Sequence, residues 1–129
     1  MTEEEYEAEF NRALQLRDAG AFEEAVQVFT GLLGSGFRRA AVHGMLGGII
    51  YYNLKDPVTA LPILQKSVAL SPHSELASLG LFHALFALDR VDDAFDEMRR
   101  YVKDHESEEY DELLRDLKSA EEQEEAGSR

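Results

Sequence analysis

The chain has 129 residues, 44% of them hydrophobic and 30% charged, enough to bury a sizeable core as one unit without staples. It contains no cysteine, which excludes a disulfide framework, a thiolate nucleophile and a cysteine metal site, and fits a reducing compartment. A net charge of -13 with no visible basic patch argues against nucleic acid and anionic membranes as partners.

The first helix is expected from about Thr2 to Ala19, with Thr2 as N-cap and Glu3, Glu4 and Glu5 where the helix dipole favours acids. Gly20 ends it. Phe22 to Leu33 reads as the second helix, closed by Gly34-Ser35-Gly36, and Arg38 to Leu54 as the third, closed before Asp56-Pro57. The fourth runs to Leu70, with Pro62 deep enough inside it to predict a kink or a late start. Ser71-Pro72 breaks the chain; helices follow from Ser74 to Leu88, from about Val91 to Asp104, and again after Ser107. No segment alternates with period two, so no strand is expected. From about Ala120 the run EEQEEAGSR has no apolar anchor and reads as a disordered acidic tail.

These helices repeat. GAFEEAVQVF, KDPVTALPIL and DRVDDAFDEM place Ala25, Ala60 and Ala94 at intervals of 35 and 34 residues. Units of this length cannot bury an apolar face alone and must stack, so the expected architecture is a small all-α solenoid that presents a surface. The three alanines are read as the closest crossing of each helix pair, where a larger side chain would force the axes apart. Gly44, Gly47 and Gly48 each cost up to about 1 kcal/mol relative to Ala inside a helix. Close helix approach explains them, or else a helix soft enough to yield to a ligand.

The second copy, Gly48 and Tyr51, then Ala60 with Leu64, then Pro72, follows the W-x2-L-G-x2-Y, A-x3-F and P pattern and resembles the tetratricopeptide repeat family. The first copy offers Ala13, Gly20, Phe22, Ala25 and Phe29, with Phe37 at the proline; the third offers Leu81, Leu85, Ala94 and Met98, with Glu106 there. The resemblance implies a right-handed solenoid of three repeats (about 6–37, 38–72 and 74–106) with a capping helix at about 108–119, one domain spanning 1–119. Tyr110, Leu113, Leu114 and Leu117 form the apolar stripe of that cap; the rival reading folds this helix into the groove as a block.

In this family the first helix of each pair lines a concave face. The stripe at i, i+4, i+7 then comprises Phe10, Leu14 and Arg17; Met45, Ile49 and Tyr52; Leu79, His83 and Phe86. Val42, Leu46 and Leu76 widen it and Asn53 adds a polar contact, while Leu16, Tyr51, Leu81, Phe82 and Leu85 are left for the core. The expected partner-binding groove is therefore Leu14, Arg17, Val42, Met45, Leu46, Ile49, Tyr52, Asn53, Leu79, His83 and Phe86. Surplus apolar surface of this kind marks an interface. Members that clamp a C-terminal carboxylate would need Lys, Asn and Arg where this chain has Phe10, Leu14, Leu46, Leu76 and Gly80, so the resemblance points to apolar-groove members that sheath a client segment.

The functional expectation is an adaptor or chaperone-like module binding one apolar or amphipathic protein segment. The alternatives are a homodimer using the same stripe and a domain of a larger scaffold. Catalysis is not expected: the carboxylates sit at helix starts or on exposed faces, and no phosphate loop or nucleophile elbow occurs. His43, His73, His83 and His105 show no i, i+4 pairing, so no metal or cofactor is expected. The acidic N-terminus lacks the basic start and apolar core of a secretory signal and no run approaches a membrane span, which places the expected protein in the cytoplasm without membrane insertion.

The acids crowd toward the end of the chain. Five cations face three acids between residues 38 and 91, whereas eleven acids face only Arg115 and Lys118 between 104 and 125. Solvated helix faces are the simple reading; a site for a basic partner is the sharper one.

Overall fold

A computed structural model describes residues 1–37 and 40–127. Caps decide where several helices start. Thr2 and Glu5 form a reciprocal capping box at α1 (Glu3–Asp18), the Glu5 amide donating to Thr2 Oγ1 at 3.1 Å. Helix α2 (Phe22–Leu33) closes the first pair. Helix α3 (Ala40–Gly48) runs directly into a π-helical turn, Ile49–Asn53. Asp56 accepts from the Thr59 amide to start α4 (Pro57–Leu70), and Ser74 accepts from the Ala77 amide to start α5 (Glu75–Ala87). Helix α6 (Val91–Val102) follows, and Ser107 accepts from the Tyr110 amide at the head of α7 (Glu108–Gly127).

No strand occurs among the described residues, and the seven helices follow the periodicity. Two expectations at helix boundaries are not met. The expected start of the third helix at Arg38 lies outside the described residues. Helix α4 begins at Pro57 and continues through Pro62, so there is no late start; the ring sits on an exposed position. Helix α7 continues to Gly127 instead of giving way to a disordered tail at Ala120, because Ala, Glu and Gln are good helix formers and need no packing to extend an existing helix. Residues 118–127 are all exposed.

Within each pair, α1/α2, α3/α4 and α5/α6, a three-residue link folds the second helix back on the first, and α2 against α3 and α4 against α5 join successive pairs. Ala25, Ala60 and Ala94 are completely buried, and four residues on from each, Phe29, Leu64 and Met98 fill the core. Each link carries a left-handed residue at its centre: Gly20 (φ 82°), Lys55 (φ 57°) and Asp89 (φ 62°). A left-handed residue turns the chain back and lets the last carbonyls of the helix find donors.

One detail separates the middle pair. The Ala21 amide donates to Leu16 O at 2.8 Å and the Arg90 amide to Leu85 O at 2.9 Å, both five residues back, whereas the Asp56 amide reaches Ile50 O, six back, at 3.0 Å. The middle pair thus holds one more residue at this turn. It is accommodated by the π-helical turn, where the Leu54 amide bonds Ile49 O. The extra residue accounts for the interval of 35 from Ala25 to Ala60 against 34 from Ala60 to Ala94.

Helix α7 is anchored at its first turns. Tyr110 is fully buried, its ring centroid 5.7 Å from that of Phe82 and 6.0 Å from that of Tyr101. Its hydroxyl lies 2.7 Å from Ser78 Oγ, and the Ser78 hydroxyl donates to Glu97 Oε2 at 2.7 Å. Arg100 donates to both oxygens of Glu97 and reaches Pro72 O at 2.9 Å. One polar cluster therefore ties α5, α6, α7 and the link before α5, and it satisfies the charges it buries. Leu113 and Leu117 are half-buried while Leu114 stays 39% exposed, so the cap is tight at Tyr110 and open further along.

Candidate functional site

A cleft of about 730 Å³ is bordered by α3, α5 and α7. Small residues make its floor: Ala40, Ala41, Gly44 and Gly48 on α3, Ala77 and Gly80 on α5. Met45, Tyr52, Leu64, Leu76, Leu79 and Leu113 supply larger apolar surface, and Ser67, Ser71 and Ser74 supply hydroxyls. His83 completes the α5 wall. On the far side, Glu109, Glu112 and Asp116 of α7 face in.

The π-helical turn explains which residues arrive here. Positions on α3 precede the extra residue, so counting back from Ala60 places them one step off. The close approach expected of the motif glycine belongs to Gly47, whose Cβ would lie 2.7 Å from Leu64 Cδ2; a Cβ on Gly48 would meet nothing within 4 Å and would project into the cleft. In the same way the cleft-facing row is Gly44, Gly48 and Tyr52, with Met45 beside it, and Ile49 turns into the core. The turn also sets Tyr51 and Tyr52 edge to face at 4.7 Å, with Tyr52 6.0 Å from His83.

Of the expected groove residues, Met45, Tyr52, Leu79 and His83 line the cleft. Val42, Leu46 and Ile49 do not: each is at most 2% exposed, and they are corrected from groove to core. Leu14 is half-buried against the core, and Arg17 lies along the side of α1, donating to Asp18 and to the Met45 sulfur at 3.3 Å. Asn53 is exposed at the end of the π-helical turn, outside the cleft lining. Phe86 is 37% exposed but sits at the far end of α5, stacked on Phe82 and edge-on to Phe95. Tyr51, read as core, is half-buried; Leu76, which widened the stripe, is 81% exposed at the cleft mouth.

A search for large apolar side chains at helical spacing misses the rest. The floor is made of residues notable for having little side chain, and the acidic wall comes from a helix read first as a cap, with a block of the groove as the rival reading. The sequence signals for it are Gly44 and Gly48 within the glycine run and the crowding of acids toward the end of the chain.

Electrostatically the cleft is acidic. Among the described residues, no Lys or Arg lines it. Burial holds His83 below the usual imidazole range, which keeps the ring neutral near pH 7, and burial pushes the Tyr52 hydroxyl up, assisted by neighbouring Tyr51. No group of three His, Cys, Asp or Glu suited to a metal occurs among the described residues. No described helix is long and apolar enough to cross a membrane.

Comparison with curated proteins gives no match for this chain. A family model described as tetratricopeptide repeat matches residues 52–117, just over half of the sequence. The match covers the second helix of the middle pair, the whole third pair and the anchored part of α7. With three stacked helix pairs, the buried alanine of each and the motif residues around them, the chain belongs to the tetratricopeptide repeat family.

Proposed function

We propose that this protein is an adaptor or chaperone-like module that holds an apolar or amphipathic segment of another protein in the cleft bordered by α3, α5 and α7. Tetratricopeptide repeats generally mediate protein–protein interaction and are not generally catalytic, which sets the class. The observation that supports this cleft is its shape and lining together: about 730 Å³ with a floor of alanine and glycine and walls that leave Tyr52 45% and Leu76 81% exposed. Apolar side chains kept in water at the edge of a concavity gain free energy when a partner covers them.

Affinity capture followed by mass spectrometry, run with the wild type and with Leu79→Glu, tests the reading. A charge in a desolvated contact leaves the partner's apolar groups facing an unpaired ion, so the variant should lose its specific partners while keeping its helical circular dichroism. Partners retained at full recovery by folded Leu79→Glu would place the interaction elsewhere. Light scattering on the same samples separates self-association: a dimer that Leu79→Glu dissociates would make the cleft a homodimer contact. Ile49→Glu is unsuitable for this purpose, since Ile49 is core and the substitution should unfold the protein.

A further inference from the structure

Resting on that reading of the cleft, we propose that its occupant is an amphipathic helix with a basic edge, whose Lys or Arg side chains meet Glu109, Glu112 and Asp116 of α7 while its apolar face covers Leu79 and the small-residue floor. Two independent observations lead there: the distribution of charge and the form of the floor.

The acids are placed as a row. At about 100° per residue, Glu109, Glu112 and Asp116 share one side of α7, and with a rise of about 1.5 Å per residue they span about 10 Å along its axis. All three are exposed, all three line the cleft, and none has an ion-pair partner among the described residues. The contrast with the rest of the chain is clear. Arg12, Arg90, Arg99 and Arg100 each pair with an acid three residues away along the chain, and Arg17 pairs with its neighbour Asp18. Lys118, near the acid row in sequence, lies on the opposite side of α7 by the same helical geometry, and neither it nor Arg115 lines the cleft. Three like charges thus converge on a partly enclosed space whose low-polarity walls strengthen their field. The exposed face of Tyr52 adds an aromatic surface to which a cation is also attracted.

The floor selects a helix. Alanine and glycine on α3 and α5 let a second backbone approach closely, as at the buried helix crossings within this molecule. Cations spaced i, i+3 or i+4, and i+7 on that helix run the same distance as the acid row. A basic amphipathic segment therefore satisfies both walls at once. An extended or neutral apolar segment would leave the three carboxylates desolvated without partners, at a cost.

A displayed library of 16-residue amphipathic helices tests this, with apolar positions fixed on one face and Lys, Glu or Ser randomised along its edge. It is selected on the full chain and on the folded triple variant Glu109→Lys/Glu112→Lys/Asp116→Lys. The wild type should enrich Lys over Glu at least tenfold at the i, i+3/i+4, i+7 positions, with binding that weakens as salt rises; the triple variant should enrich Glu instead. The neutral set Glu109→Gln/Glu112→Gln/Asp116→Asn keeps the answer available if the reversal perturbs α7, and it should show no charge preference. Enrichment of apolar helices by the wild type without charge selection, abolished by Leu79→Glu, would overturn the basic-edge proposal and leave the cleft as the site. Helices that bind Leu79→Glu unchanged, or no enrichment at all, would overturn both.

Discussion

Gly47 and Gly48 show how much one backbone position decides. At Gly47 an added methyl would sit 2.7 Å from Leu64 Cδ2 and 2.8 Å from its Cγ, and a Cβ at Gly80 would approach the same leucine at 3.1 Å, so Leu64 has little room to retreat. Gly47→Ala should therefore cost about 1–3 kcal/mol through overpacking. Gly48→Ala should stabilise by up to about 1 kcal/mol through helix propensity, because nothing stands within 4 Å, and should weaken partner binding by filling the cleft. Urea denaturation of the two variants reads both signs. The left-handed links give a second test. Lys55 and Asp89 adopt a conformation that disfavours residues with a Cβ, so Lys55→Gly should raise stability by about 0.5–1 kcal/mol and Asp89→Gly by less, since aspartate tolerates the region better. Thermal melts that fall for both would mean these side chains make stabilising contacts beyond the backbone. The buried alanines were legible from sequence because a crossing point must recur once per repeat. The choice between Gly47 and Gly48 was not, since adjacent glycines carry no periodicity of their own.

At the scale of elements, two features set the site: the π-helical turn and the anchoring of α7. The segment Ile49–Asn53 is apolar or aromatic in four of five positions, so no change in hydrophobic pattern marks the shift from α-helical to π-helical register. A reading that counts four residues per step therefore carried Ile49 into the groove and Gly48 into the packing. Helix α7 was legible as a cap through Tyr110, Leu113 and Leu117, yet its acids also form a wall. Its hold depends on Tyr110. Tyr110→Phe removes the hydroxyl that meets Ser78 inside the core and should cost about 1–2 kcal/mol. Burial also pushes the Tyr110 pKa far above its ordinary value of 10.0, with Ser78 opposing and Glu97 assisting the rise. Because the folded state keeps this proton more tightly than the unfolded chain, the associated stability is complete below about pH 10 and is lost as pH climbs beyond it, when unfolded tyrosine ionises. Denaturation midpoints measured from pH 8 to pH 11 should fall at the alkaline end, and Tyr110→Phe should flatten that fall. Some slope should remain from Tyr51 and Tyr52, which burial also raises. A wild-type profile as flat as the variant's would show that Tyr110 is not enclosed.

For the molecule as a whole, repeat length, buried alanines and caps specify three stacked helix pairs, and these were readable in the sequence because each is enforced locally. The cleft is a product of stacking. Its floor is made of missing side chains on two helices, and its acidic wall stands 29 residues and more beyond the nearest floor residue. The floor is no pattern within one helix, and the acid row, though regular within α7, carries no sign in the sequence of what it faces. On the proposed function, a partner segment lies in this cleft between α5 and the acid row of α7. The chain has no cysteine, so a single introduced thiol can carry a benzophenone photo-cross-linker without background labelling. With the label at Leu79→Cys, a bound partner or a library-selected helix should form an adduct on irradiation, and with the label at Asp92→Cys on α6 it should form none. Adducts of equal yield from both positions, or from Asp92→Cys alone, would contradict the claim.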